Sequence, residues 1–258
     1  MPANYAHHRF GNQILKDMPA DVRRPIQRFR RLFNAGLHGP DIFFYYNPFM
    51  KTEVGDLGNL FHSHTGQEFF TQVCRRLHRN PSEAGLAYLY GLLAHYCLDI
   101  HVHPFVIQMT DDTGLGHVEL ETEFDRYLLE LDGKIPPHTQ DLSGYFKITR
   151  GECVTVADFY PTATPANINQ CMLNIRASLK LLTFKNRKLM TTVLKATPDS
   201  VSQQQMTVGP NPKCCHLNEK MLQYYNEALD CYPKLAEQLA AHMDYGAELG
   251  EDFVRSFN

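Results

Sequence analysis

Apolar residues recur three and four positions apart along most of the chain and alternate with polar ones almost nowhere. This predicts helices joined by irregular loops and an all-α fold. Residues 20–34 place Val22, Ile26, Phe29 and Phe33 on one stripe opposite a basic face, with Gly36 and Gly39-Pro40 as the stop. Thr65-Gly-Gln-Glu68 has the form of a capping box, opening a helix through Phe69, Val73 and Leu77 that ends at Asn80-Pro81. Ser82 caps a long apolar helix, which Pro104 is expected to end or bend, leaving His103 in its last turn. A helix over about 117–131 follows Gly114 and Gly116. Its buried stripe should be Val118, Phe124, Leu128 and Leu131, flanked by Leu120 and Tyr127. Residues 132–164 read as irregular, with room for a short helix or extended piece. Helices are expected from Pro165 to about Thr183 and near 186–196, then a long loop over 197–216. A final pair near 217–231 and 233–247 should be parted by Pro233. With no repeat and no heptads, residues 1–258 read as a single multi-helix domain, a length that one helical core can still span.

The chemistry rides on two of these helices. His95 and Asp99, Asp99 and His103, and His117 and Glu121 are each four residues apart. At that spacing both side chains leave one helix face a turn apart, so each pair can chelate one ion. Helical His and acidic residues are commonly solvated surface. Here, however, the first run sits in Leu86-Ala-Tyr-Leu-Tyr-Gly-Leu-Leu-Ala-His95-Tyr-Cys-Leu-Asp99-Ile, which is too apolar for an exposed face. Polar groups buried there need partners, and metal ions would serve. Ten of the 13 histidines fall at or before position 117, which assigns the metal chemistry to the N-terminal half and a scaffold role to the rest. Other candidates lie outside the helical pairs. Asp41 follows the tight turn Gly39-Pro40, His62 and His64 read as loop residues before the capped helix, and His7 and His8 lie near the N-terminus.

Composition narrows the class. A net charge of −3 argues against nucleic acid as a partner. No window of 18 uncharged apolar residues exists, so no transmembrane segment is expected. The N-terminus lacks the basic and apolar regions of a secretory signal, which points to a cytoplasmic protein. Seven cysteines, an odd number without a CxxC pair, fit a reducing compartment better than a disulfide framework. Histidine and carboxylate ligands without organised thiolates suit Zn2+, with manganese or iron as alternatives. Di-iron bundles normally use Glu-x-x-His motifs, and one class of metal-dependent phosphohydrolase uses adjacent His-Asp; neither pattern occurs in the chain.

The order Asp41, His62, His95-x3-Asp99-x3-His103 and His117-x3-Glu121 resembles the zinc-dependent phospholipase C family. That family takes in bacterial phosphatidylcholine-preferring phospholipases C, clostridial α-toxins and P1-type nucleases. The resemblance runs from about Tyr5 to Leu129; beyond residue 130 only helical character carries over. It implies an all-α protein with a zinc cluster in a cleft between helices, hydrolysing a phosphodiester, most naturally a phospholipid on its glycerol side. Carried across, it assigns Asp41, His62, His95 and Asp99 to one zinc and His103, His117 and Glu121 to a second. Asp99 and an N-proximal histidine, matched by His7, would reach a third. The resemblance also implies that metal-activated water attacks phosphorus and that Asp41 orients or deprotonates that water.

The chain departs from the family in two places. The family completes the third zinc site with an N-terminal Trp, and this chain has no Trp, so two or three ions and His7 or His8 stay open. The best-known secreted relatives place a histidine six residues after the aspartate, where this chain has Phe105; His103 takes that role here, with His101 in reserve. Phe43, Phe44, Tyr45, Tyr46 and Phe49 either wall a substrate pocket or pack the core. Two other readings remain: a metal-stabilised helical binding protein without turnover, and a phosphodiesterase for a small soluble or nucleotide substrate.

Overall fold

The computed structural model describes residues 4–183, 192 and 202–257. Its helices are, in order, α1 (Asn4–Asp17), α2 (Ala20–Arg28), α3 (Arg30–Gly36), α4 (Glu53–Ser63), α5 (Gly66–Arg79), α6 (Glu83–Thr113), α7 (His117–Leu131), α8 (Arg150–Ala157), α9 (Pro165–Leu182) and α10 (Asn218–Tyr245). Among the described residues there is no strand, only an isolated bridge between Thr65 and Ser256, so the fold is all-α as expected. None of these helices is long and apolar enough to cross a membrane.

Helix α6 is the axis. Ser82 Oγ accepts the Gly85 N–H at 3.2 Å to start it, and Gly114, at φ 70°, ends it after 31 residues. Residues 91–100 are all buried, so the helix runs through the core. Pro104 does not end it. A proline at 104 cannot donate to the carbonyl of residue 100, and in this fold the Arg255 guanidinium donates to the Ile100 carbonyl instead. With that carbonyl satisfied, the helix continues another nine residues past the proline, to Thr113. The expected pair of C-terminal helices is likewise one helix, α10, running through Pro233. Tyr225, Ala228, Tyr232, Leu235 and Leu239 form a fully buried stripe at helical spacing on both sides of that proline. Each large apolar side chain so buried contributes roughly 1.5–3 kcal/mol, which outweighs the ~3 kcal/mol of an interior proline.

Helices α3 and α6 cross with their backbones in close approach. Cβ atoms added at Gly36 and Gly91 would lie 2.3 Å from the Tyr88 carbonyl and 2.2 Å from the Phe33 carbonyl. Both neighbours are backbone, so neither can give way. Gly91→Ala should therefore cost at least ~2 kcal/mol, read as a lowered urea midpoint; an unchanged midpoint would mean the crossing can relax. The expected single helix over 20–34 is broken at Phe29 (φ −112°, ψ 40°), which frees α3 to take this crossing.

Two helices escaped the sequence reading. Helix α1 is capped from a distance: the Asp125 carboxylate on α7 accepts the Tyr5 and Ala6 N–H groups, both at 2.8 Å. Helix α4 carries Gly55 and Gly58, which lower its propensity, but Thr52 Oγ1 accepts the Gly55 N–H at 3.0 Å and starts it. The α5 capping box, with Thr65 and Glu68 bonding each other's backbone, is present as predicted, and α9 has the expected span. On α7 the expected stripe needs correction: Leu131 is half exposed and Val118 only partly buried. The helix buries Glu121, Glu123, Asp125 and Arg126 as well as Leu120, Phe124 and Leu128, because it is covered on more than one side. Arg126 makes two 2.8 Å hydrogen bonds to Glu123, so that buried charge is paired. Apart from residue 192, the helix expected near 186–196 lies outside the described residues, as does the start of the 197–216 loop.

Candidate metal centre

Asp41, His62, His117 and Glu121, with His7 of the N-terminal pair, converge on the His95, Asp99 and His103 run at the middle of α6, whereas His64 lies beside Phe61. His95, Asp99 and His103 occupy successive turns of that helix and are 0%, 1% and 3% exposed. Asp41 arrives on a 3-10 turn over Gly39–Tyr45, whose first residue has φ 43° and lies so close that a Cβ there would be 2.5 Å from the His95 ring. Only glycine meets both demands. His62 is not in a loop, as its sequence context suggested, but in the last turn of α4 and buried. His7 comes from α1, held by the Asp125 cap one residue before it. His117 and Glu121 come from the first two turns of α7.

Asp99 is the hub. Its Oδ2 stands 3.1 Å from His95 Nε2 and 3.9 Å from His62 Nε2, and its Oδ1 stands 3.3 Å from His7 Nε2 and 3.4 Å from His103 Nε2. Asp41 Oδ1 is 3.1 Å from His62 Nε2, and Glu121 Oε1 is 3.2 Å from both His103 Nε2 and His117 Nε2. The ligand-type atoms fall into three compact groups: His7, His95 and Asp99; Asp41, His62 and His95; His103, His117 and Glu121. For all this proximity, Asp41 Oδ1, His62 Nε2, His95 Nε2, Asp99 Oδ2 and His117 Nε2 are buried and form no hydrogen bond. Buried polar atoms without partners are costly, and these crowd around shared points, as ligands around a cation do.

Electrostatics agree with that donor set. Burial lowers His95 to about 3, which keeps its imidazole neutral. Burial works against ionising Asp99, but the His103, His95 and His7 imidazoles overcome it and hold the carboxyl below its usual range. Asp41 and Glu121 are likewise held well down against burial, with the His62 and His95 imidazoles among the groups that lower the first and those of His117 and His103 among the groups that lower the second. The centre thus offers ionised carboxylates among imidazoles, a set suited to zinc. His62 Nδ1 donates to the Gly58 carbonyl at 2.7 Å and His103 Nδ1 to the Phe257 carbonyl at 2.9 Å, so each turns Nε2 toward the cluster.

The open alternatives separate in space. His7 joins the cluster, whereas His8 stacks on Tyr145 with ring centroids 3.4 Å apart. His103 joins it, whereas His101 Nδ1 donates to the Cys97 carbonyl at 2.7 Å. Phe105, at the position where relatives carry a histidine, packs against Tyr224. Of the aromatic run, Phe43 and Tyr45 are core, Phe44 and Tyr46 are partly buried, and Phe49 is 64% exposed. Sequence reasoning missed His38, a buried imidazole 6.1 Å from the His7 ring and 4.2 Å from Phe146, which burial holds well below its usual pKa. It belongs to no spaced pair, so the sequence carried no signal for it.

Fold and site together define an all-α protein with clustered histidine and carboxylate side chains that could hold metal ions. The family model for zinc dependent phospholipase C matches residues 6–163, and the chain belongs to that family. The match extends past residue 129, where the motif resemblance stopped, through α8. Neither the curated proteins nor the solved structures contain a significant match to this chain. The family is one of zinc-dependent hydrolases of phosphodiesters.

Proposed function

We propose that this chain is a zinc-dependent phosphodiester hydrolase of the phospholipase C type, which releases a phosphorylated head group from a phospholipid. The observation that carries the reading is the double sharing of Asp99, whose two oxygens face imidazoles from α1, α4 and α6. Asp41, His62, His95 and Asp99 would hold one zinc, His103, His117 and Glu121 a second, and His7 with Asp99 a third. When bound, the ions supply positive charge for the phosphoryl oxygens and lower the pKa of water at the site.

The chain's own residues do the rest. Asp41, fixed by the Gly39-Pro40 turn and ionised, orients the attacking water and accepts its proton. Neutral His95 stays a lone-pair donor across the physiological range. The His117 side chain is 30% exposed while its neighbours in the cluster are sealed, which supports an approach of substrate from that side. The zinc-loaded protein is expected to hydrolyse p-nitrophenyl phosphorylcholine, and bis-p-nitrophenyl phosphate more slowly. Silence on both and on phosphatidylcholine vesicles, with zinc bound, would overturn the enzyme reading in favour of a metal-stabilised binding protein.

A further inference from the structure

We propose that the segment 249–257 is a positioning strap for the metal ligand His103, with the Phe257 carbonyl setting the imidazole tautomer and Arg255 clasping the strap to α6. The inference rests on the zinc-centre reading above.

The segment has only a short 3-10 turn, Glu251–Val254, so its place depends on what holds its backbone. Tyr96 Oη stands 2.8 and 2.9 Å from the Asp252 and Arg255 carbonyls, which share its one O–H donor, and the Gly66 N–H donates to the Arg255 carbonyl at 2.9 Å. The Arg255 guanidinium donates to the Ile100 carbonyl, the acceptor that Pro104 leaves without a helical donor. Next along the helix, His103 Nδ1 donates to the Phe257 carbonyl at 2.9 Å. Tyr96, Ile100 and His103 are spaced four and three apart, so the strap follows one face of α6 up to the ligand. Phe253 and Phe257 are fully buried; the Phe257 ring lies 4.8 Å from Tyr96, 5.7 Å from His62 and 5.9 Å from His95.

This arrangement decides a proton position. An imidazole binds metal through Nε2 only when that nitrogen keeps its lone pair, and the hydrogen bond made by Nδ1 determines this. Glu121 Oε1 and Asp99 Oδ1, 3.2 and 3.4 Å from His103 Nε2, would otherwise draw the proton there. His62 meets the same need inside its own helix, with Gly58 as acceptor. His103 instead takes its acceptor from a segment 154 residues away. Packing of Phe257 alone would not require that its carbonyl face a ligand.

The test compares full-length wild type, Arg255→Ala, Arg255→Lys and Tyr96→Phe. Tyr96→Phe removes the hydroxyl donor shared by two strap carbonyls and keeps the ring, so it reports even if Arg255→Ala folds poorly. Zinc affinity is read by chelator competition, and the His103 ring nitrogens by 15N NMR on zinc-free protein. Arg255→Ala should weaken one bound zinc about tenfold to a hundredfold, the usual effect of losing a ligand's supporting contact, while the others hold. Tyr96→Phe should weaken the same ion by less, and Arg255→Lys should restore most of the affinity. In wild type, Nδ1 of His103 should carry the proton; in Arg255→Ala the two tautomers should mix. Variants that melt earlier yet keep every zinc affinity and the Nδ1–H tautomer would show a packing role only and overturn the strap. A wild-type chain that binds no zinc would overturn the metal-centre reading, and the strap with it, before any variant is compared.

Discussion

Asp99→Ala is expected to empty the centre of zinc and to lower the melting temperature in the same protein. The carboxylate faces imidazoles from three helices, and without it His7, His62, His95 and His103 lose their common partner in a region where each is buried. Breaking a buried charged network from one side costs about 3–5 kcal/mol, and metal binding energy is partly folding energy. For a chain of this size that corresponds to a fall of roughly 6–20 °C in Tm. Calorimetry with and without added zinc checks it: wild type should lose stability on chelation, whereas the variant should be insensitive to zinc. An Asp99→Ala protein with full zinc and an unchanged melting temperature would make this residue a bystander.

Asp41→Asn should separate chemistry from scaffold. The substitution preserves shape and keeps one oxygen for the cluster, but removes the group that accepts the proton of the attacking water. Loss of a general base costs about 10²–10⁴-fold in turnover, with zinc content and Tm close to wild type. Loss of zinc together with activity would make Asp41 chiefly a ligand and transfer the base role elsewhere. Unchanged turnover would remove it from the reaction altogether.

Much of the centre was legible in the sequence because two helices carry most of it, and helical spacing converts directly into shared faces. The His95, Asp99, His103 run and the His117, Glu121 pair needed only the four-residue rule and the apolar context of α6. What the sequence hid depends on contacts far along the chain. Helix α1, and with it the burial of His7, is capped by Asp125 from α7, which no local pattern reports. His62 looked like a loop residue because Gly55 and Gly58 weaken the helix signal of α4. Pro104 and Pro233 marked helix ends by local rules; a guanidinium from 151 residues away and a buried aromatic stripe override them. Val118 and Leu131 were misplaced because α7 also buries Glu121, Glu123, Asp125 and Arg126, each with a polar partner, which an apolar stripe cannot register.

The count of zinc ions per chain tests the central claim most directly. Elemental analysis of the purified protein after mild dialysis should find at least two zincs, one for the Asp41, His62, His95 and Asp99 set and one for His103, His117 and Glu121. Three would add the position of His7 and Asp99, while two would locate the vacancy there. One zinc or none would contradict the multinuclear centre and the hydrolase built on it.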